Sequence, residues 1–177
     1  VPFLGVDSID SESWYNKGIL PRLRVERHMQ YEDYILQEVV PLARLKSGMR
    51  ELGSTGCSFG AYQAMHFALR RPDTVTHCIT MAGAFDIKQF LDGYYDENCY
   101  FNTPPDYLPN TWDPWYLDRY RRNFYLLATG EHDFCWGENA RLADMMRAKR
   151  MNHRLDVWGD GPAHDWPWWD KMAHAYF

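Results

Sequence analysis

The stretch Glu51–Asp73 constrains the fold most, because it has the pattern of a strand, a tight turn and a helix. Residues 56–60 read Gly-Cys-Ser-Phe-Gly, a G-x-S-x-G pattern with Ser58 at its centre. A serine on so sharp a turn has strained dihedrals, and glycines two residues before and two after it remove Cβ atoms that would clash. The following helix points its amide groups and the positive end of its dipole toward the serine.

The residues on either side of the turn support this interpretation. Arg50–Thr55 has the length of a short buried strand, and Arg71 before Pro72 is a typical helix end. Between them, small and apolar residues repeat at helical spacing: Ala61, Ala64, Met65, Ala68 and Leu69. The alternative is an ordinary strand, turn and helix with an inert serine.

The rest of the chain alternates between strand-like and helix-like patterns. Further strands are predicted at Pro2–Asp7, Thr76–Ala82, Asn123–Thr129 and Arg154–Trp158, and helices at 31–42, 137–149 and from about Trp168. Such alternation predicts an α/β fold: a mostly parallel sheet of about five strands with helices on both faces. We expect one domain over residues 1–177.

Residues 84–122 break this alternation, because prolines, tyrosines, asparagines and tryptophans crowd into them. So long an irregular segment inside a compact domain is usually functional. We interpret it as a cover over the site, with an aromatic-packed surface insertion as the alternative.

Composition excludes several classes of function. The net charge of −5 and the lack of a basic run argue against a nucleic-acid partner, and no apolar stretch is long enough for a membrane span. The four cysteines form no C-x-x-C motif, so we expect reduced thiols and a cytoplasmic location, with Cys57 pointing into the core. The histidines His28, His66, His77 and His153 are scattered singly, so neither a metal nor a cofactor is predicted.

Three residues that suit nucleophilic catalysis follow three different strands. Ser58 comes after one strand, Asp133 four residues after another, and His164 in the loop after the last. The carboxyl ends of parallel strands meet at one edge of a sheet. A serine needs a base to take its proton, and the base needs a carboxylate to orient it. Glu131 and Glu138 are the alternative acids.

The order serine, acid, histidine resembles that of the α/β-hydrolase superfamily. More narrowly, the chain resembles the esterase family that includes feruloyl esterases, S-formylglutathione hydrolases and mycolyltransferases. The resemblance rests on residues 14–16, 31–32, 38–41, 56–62, 71–73 and 164–169. It implies a serine esterase that forms an acyl-enzyme on Ser58 and hydrolyses a small ester. Acyl transfer to an alcohol and a catalytically silent binding domain are the alternatives.

The resemblance also implies further site residues. The amide of Phe59 would be one oxyanion donor, and Trp14, Tyr62 and Trp166 would contact the substrate. Related hydrolases have strands before the first one predicted here, and a loop among them supplies the second donor. We therefore expect either a truncated form whose unpaired strand edge favours homo-oligomers, or a loop 8–18 that supplies the second amide.

Overall fold

Over the residues that it describes, the computed structural model has a sheet of four strands, all parallel, in the order β1-β2-β3-β4. The structure describes residues 2–159 and 164–177. The strands are β1 (Leu52–Cys57), β2 (Val75–Met81), β3 (Phe124–Gly130) and β4 (His153–Trp158). The predicted α/β class is confirmed, with one strand fewer than the expected number of about five.

The strand predicted at Pro2–Asp7 is not formed, and that prediction is wrong. Residues 2–7 are exposed, and the Phe3 ring packs edge-on against Phe177 at 5.0 Å. An apolar run becomes a strand only beside a partner that takes up its backbone hydrogen bonds. Within the described ranges, β1 pairs with β2 alone, so its other edge is unpaired. Self-association through this edge stays a prediction.

Eight α-helices surround the sheet in the described part of the chain. They are α1 (Pro21–Tyr34), α2 (Val40–Ser47), α3 (Phe59–Arg70), α4 (Glu97–Phe101), α5 (Pro104–Tyr107), α6 (Pro114–Arg122), α7 (Trp136–Ala148) and α8 (Trp166–Tyr176). A π-helical turn at Ile35–Val39 joins α1 to α2. Pro41 accounts for it, since proline has no N–H with which to continue the α-helical hydrogen bonds.

Helices pack on both faces of the sheet, as predicted. The larger core contains α3 and α7 with residues of α1, and includes Met65, Leu69 and Leu142, none of which has exposed surface. The smaller core lies under α8, where Met172 packs near Met81 and Leu126. Burial of apolar side chains on both faces is the main force that holds the helices to the sheet.

The excursion at residues 84–122 packs beside α1, α3 and α7. The backbone oxygen of Asn102 accepts a hydrogen bond of 2.9 Å from the Tyr62 hydroxyl on α3. Arg70, Tyr100 and Trp112 help to line a cleft of about 420 Å³ at the end of α3 opposite to Ser58. Whether the excursion covers a functional site stays a prediction.

Candidate active site

Ser58 is the single residue between the end of β1 and the start of α3. Its φ of 52° and ψ of −119° lie in a region that a residue with a side chain rarely adopts, so the turn is strained. A Cβ atom on Gly56 would lie 2.2 Å from the carbonyl oxygen of Gly60, so glycine is required there. A Cβ on Gly60 would meet nothing within 4 Å, so the steric explanation for that glycine is wrong.

The structure brings Ser58, His164 and Asp133 together. His164 Nε2 lies 2.7 Å from Ser58 Oγ, and His164 Nδ1 lies 3.1 Å from each carboxylate oxygen of Asp133. The Asp133 side chain is only 2% exposed and that of His164 13%. The three residues meet because the loops after β1, β3 and β4 leave the same edge of the parallel sheet.

The hydrogen-bond partners define the roles of the two ring nitrogens of His164. An ionised carboxylate only accepts hydrogen bonds, so His164 Nδ1–H donates to Asp133. Nε2 of the neutral ring is then free to accept from the Ser58 hydroxyl. A ring held in this way has its lone pair directed at the serine proton, which is the arrangement that a general base needs.

Local hydrogen bonds hold the Asp133 loop in place. The Asp133 amide donates to the Gly130 oxygen at 3.2 Å, and the Cys135 amide donates to Asp133 Oδ1 at 2.7 Å. The second bond lies at the start of α7, whose positive dipole end favours a negative charge there. Two hydrogen bonds therefore join Asp133 to the connection between β3 and α7.

The two alternative acids have other partners. The exposed Glu131 lies 3.4 Å from the ring of His132. Glu138 Oε2 accepts hydrogen bonds from the backbone amides of Phe85 at 2.5 Å and Asp86 at 2.9 Å. Among the described contacts of His164, Asp133 supplies the carboxylate.

Two of the residues expected to contact a substrate do not reach the surface. Trp14 and Tyr62 have no exposed surface, so neither can touch a substrate in this structure. Their rings pack edge-on at 6.1 Å in the core beside α3, because both are large and apolar enough to fill it. Trp166 is 71% exposed, and its ring lies 5.3 Å from that of Trp169.

Two aromatic side chains beside His164 were missed as site residues by the sequence interpretation. The Phe134 ring lies 4.1 Å from the His164 ring and is 79% exposed, and the Trp169 ring lies edge-on to His164 at 5.0 Å. Their positions in the sequence could have identified them, because Phe134 directly follows Asp133 and Trp169 lies in the helix after His164. An apolar wall therefore lies next to the imidazole.

The Phe59 amide lies at the first position of α3, where no acceptor exists within the helix. The Phe59 side chain is buried, with its ring 5.3 Å from that of Tyr15 in the loop at residues 8–18. Asp10 of the same loop accepts a hydrogen bond of 2.8 Å from Gln63. The loop thus lies against the first turns of α3, and its role as source of a second oxyanion donor stays a prediction.

Cys57 does not compete with Ser58 as a nucleophile. Burial raises the pKa of the Cys57 thiol to about 11, so it is protonated near neutral pH. The four cysteines of the described chain are free thiols. None of its described helices is both long and apolar enough to cross a membrane.

Two groups of described residues place three potential metal ligands within 4.8 Å of one another. One consists of Asp133, Cys135 and His164 and therefore coincides with the candidate active site. The other consists of His28, Glu32 and His66 and is here named the buried histidine cluster. The two histidines of that cluster are adjacent in space, although the sequence suggested that they were scattered.

Polar partners lie beside three of the four ring nitrogens in the buried histidine cluster, and His28 Nδ1 has none among the described residues. His66 Nε2 lies 3.2 Å from Glu32 Oε1 and 3.1 Å from Asn102 Oδ1, and His66 Nδ1 lies 3.2 Å from the Tyr107 hydroxyl. His28 Nε2 lies 3.4 Å from the Tyr62 hydroxyl. His66 already has partners at both ring nitrogens, so its burial is explained without a metal.

The fold and the site together define a class of protein. A serine on a strained turn between a parallel strand and a helix, with an acid and a histidine after later strands, is the arrangement of the α/β-hydrolase fold. The model of the family described as "Putative esterase" matches residues 5–176. The chain therefore belongs to this esterase family.

Solved structures share the fold. A ferulic acid esterase is 22% identical with a TM-score of 0.67, over 82% of this chain and 58% of that one. An S-formylglutathione hydrolase from Staphylococcus aureus is 18% identical with a TM-score of 0.61, over 86% and 61%. Another from Agrobacterium tumefaciens is 14% identical with a TM-score of 0.64, over 81% and 54%.

The chain thus matches little more than half the length of these solved structures. No curated protein matches it. At these identities, the likeness to the solved structures establishes the fold alone.

Proposed function

We propose that the chain is a serine esterase that hydrolyses small carboxylic esters through an acyl-enzyme on Ser58. The observation that supports this most strongly is the pair of contacts at His164: Nε2 at 2.7 Å from Ser58 Oγ, and Nδ1 at 3.1 Å from the Asp133 carboxylate. A serine becomes a useful nucleophile when an adjacent base can remove its proton. Membership of the esterase family supports the same reaction class.

In the first half of the proposed reaction, Ser58 Oγ forms a bond to the ester carbonyl carbon while His164 Nε2 takes the serine proton. Asp133 stabilises the imidazolium through Nδ1–H without itself taking up the proton. The tetrahedral intermediate then breaks its bond to the alcohol oxygen, and His164 donates the proton to the departing alcohol. Ser58 is left as an ester of the acyl group.

In the second half, water attacks the acyl carbon while His164 takes a proton from the water. The bond to Ser58 Oγ breaks, His164 returns the proton to the serine, and the carboxylic acid leaves. In both halves, negative charge develops on the former carbonyl oxygen, and the Phe59 amide would donate a hydrogen bond to it. Removing one such donor typically costs about 3 to 4 kcal/mol of transition-state stabilisation.

The aromatic surroundings of His164 favour an aryl or otherwise apolar acyl group. Phe134 and Trp166 are 79% and 71% exposed. The Phe134 ring lies 4.1 Å from the His164 ring, and the Trp169 ring lies 5.0 Å from the His164 ring and 5.3 Å from the Trp166 ring. Planar apolar groups gain free energy from stacking on such rings. Among the solved structures of the same fold, one is a ferulic acid esterase and two are S-formylglutathione hydrolases.

A fluorophosphonate probe tests the proposal directly, because it reacts with an activated serine. We expect the wild-type protein to be labelled at Ser58, Ser58→Ala to remain unlabelled, and the control Ser47→Ala, at the exposed end of α2, to be labelled like the wild type. A wild-type protein that does not react would contradict the proposal and favour a silent binding domain.

A panel of p-nitrophenyl and aryl esters then defines the substrate class. We expect hydrolysis to be fastest for short or aromatic acyl groups. Addition of an alcohol acceptor separates the two chemistries, since a transferase would convert the ester into a new ester rather than into free acid.

A further inference from the structure

The segment that follows β2 lies directly against the turn that contains Ser58. The Ser58 amide donates to the Met81 oxygen at 2.9 Å, and the Ala84 amide donates to the Ser58 oxygen at 3.2 Å. Ala82, between these two contacts, has a φ of 51°, close to the φ of 52° at Ser58. Two strained residues thus lie side by side, and such backbone persists only where its surroundings hold it.

The first turn of α7 supplies that support. Glu138 Oε2 accepts from the Phe85 amide at 2.5 Å and from the Asp86 amide at 2.9 Å. Asn139, which is fully buried, donates its Nδ2 to the Gly83 oxygen at 2.9 Å. A carboxylate that accepts two backbone amides forms stronger hydrogen bonds than a neutral acceptor would.

The same helix start is also joined to the acid. Cys135, at the end of the loop that contains Asp133, donates its amide to Asp133 Oδ1 at 2.7 Å and accepts at its oxygen from Asn139 Nδ2 at 2.9 Å. A short chain of hydrogen bonds therefore runs from Asp133 through α7 to residues 83–86, and from there to the Ser58 backbone.

We infer that Glu138 and Asn139 are positioning residues, which set the placement of Ser58 relative to Asp133 and His164. The inference rests on the proposed function, because it concerns the geometry of that reaction. Neither residue touches the reacting atoms: both act through the backbone of residues 83–86. Loss of the Glu138 carboxylate would leave two amides without their acceptor and free the segment that supports the strained serine.

The test compares Glu138→Ala with Glu138→Gln. Displacements of about 1 Å in a catalytic group can cost roughly a hundredfold in rate. We expect Glu138→Ala to lower kcat and the fluorophosphonate labelling rate by about ten- to a hundredfold, with little change in KM. The amide oxygen of glutamine can still accept both hydrogen bonds, so Glu138→Gln should recover most of the rate. Asn139→Ala should behave like Glu138→Ala.

Asp144→Ala is the matched control, because Asp144 lies on the same helix with its side chain 69% exposed. All rates are measured at a temperature where circular dichroism shows each variant to be folded. If Glu138→Ala does not fold, the rates of Asn139→Ala and Glu138→Gln are used to test the inference instead.

Three outcomes would overturn the inference. Wild-type rates in Glu138→Ala or Asn139→Ala would show that the hydrogen bonds do not position the serine. A Glu138→Gln variant as slow as Glu138→Ala would assign the effect to charge instead. A wild-type protein that is not labelled would overturn the proposed function, and the inference with it, whereas normal labelling of wild type and variants would overturn the inference alone.

Discussion

The candidate active site and the buried histidine cluster contain the same kind of chemistry at different places along α3. Each has a histidine beside a carboxylate: His164 Nδ1 lies 3.1 Å from Asp133, and His66 Nε2 lies 3.2 Å from Glu32. The difference lies in the third partner and in access. The His164 side chain is 13% exposed and faces a serine hydroxyl, whereas the His66 side chain is 1% exposed and faces tyrosine and asparagine side chains.

The comparison shows how location decides what a histidine–carboxylate pair does. The hydroxyl near His66 belongs to Tyr107 and the one near His28 to Tyr62, and burial raises the pKa of both well above the usual value for tyrosine. They remain protonated and serve as hydrogen-bonding groups in the core. The Ser58 hydroxyl, by contrast, lies on a strained turn at the carboxyl edge of the sheet, where substrates bind in α/β folds. We expect the His66–Glu32 pair to stabilise the fold and the His164–Asp133 pair to take part in the reaction.

The largest effect should come from removing the reactive partners of the candidate active site. Ser58→Ala and His164→Ala should each lower kcat by roughly 10⁵- to 10⁶-fold, and the double variant should be little worse, since partners in one proton transfer are not additive. Steady-state kinetics on an aryl ester measures this. Losses that multiply in the double variant would show that the two residues do not share a mechanism.

Asp133→Asn should produce the next largest effect. The amide is uncharged and its NH2 group can donate to Nδ1, which favours the wrong tautomer of the ring and leaves the imidazolium without a carboxylate, so kcat should fall by roughly 10³- to 10⁴-fold. The thermal midpoint should change far less than the rate. Glu131→Gln is the control, and a larger loss there than at Asp133 would move the acid to Glu131.

The reverse experiment on the buried histidine cluster should change stability and leave the chemistry intact. His66→Ala removes a buried partner of Glu32, Asn102 and Tyr107, and leaving a buried polar group unsatisfied typically costs about 1 to 3 kcal/mol. We expect urea denaturation to show a loss of that order, with kcat/KM near the wild-type value while the variant is folded. His174→Ala, whose side chain is 83% exposed, is the control. A catalytic defect without a stability defect would contradict the comparison.

The pH dependence of stability should report on the same cluster. Burial lowers the pKa of His28 to about 3, despite the opposing charge of Glu32 and with a further decrease from His66. In the unfolded chain His28 therefore binds a proton near pH 6.5, whereas in the folded chain it binds one only near pH 3. Stability should thus fall as the pH is lowered through this window, by at most about 1.4 kcal/mol per pH unit for this one group.

Glu32 adds to the same trend at lower pH. Burial alone would raise the Glu32 pKa, but the charge and hydrogen bond of His66, with His28 and Arg70, lower it to about 2. Its contribution is lost as the pH falls from about 4.5, the ordinary value for glutamate, toward 2. Urea titrations at pH 7, 6, 5, 4 and 3 check both trends. The slope of the unfolding free energy against pH between pH 6.5 and 4.5 should flatten in His28→Gln. An unchanged slope would show that other groups cause the pH dependence.

The smallest effect is expected at the exposed rim of the candidate active site. Trp166→Ala removes a ring that is 71% exposed, so we expect KM for an aryl ester to rise about two- to tenfold with kcat nearly unchanged, in line with about 0.5 to 1.5 kcal/mol for an aromatic contact. Trp115→Ala, on α6, is the control. Equal KM values for Trp166→Ala and wild type would show that Trp166 does not contact the substrate.

Much of the architecture could be predicted from neighbouring residues. The glycine, serine and apolar spacing around Ser58 predicted β1, the turn and α3, and the alternation of patterns predicted the α/β class with β2, β3 and β4 near their observed bounds. These features are encoded locally, because turn sterics and the spacing of apolar side chains act over a few residues. The same reasoning failed at Pro2–Asp7, where an apolar run has no strand beside it.

Only the tertiary structure decided which side chains meet. Ser58 and His164 are 106 positions apart, and their 2.7 Å separation depends on the order and register of four strands. The burial of Trp14 and Tyr62, the meeting of His28 with His66, and the contacts of Glu138 with residues 85–86 arise in the same way. Such contacts join segments far apart in the chain, and the local pattern around each residue has no information about its distant partner. By itself, the sequence therefore determined the elements and the chemistry available, and packing of the helices on the sheet determined which groups work together.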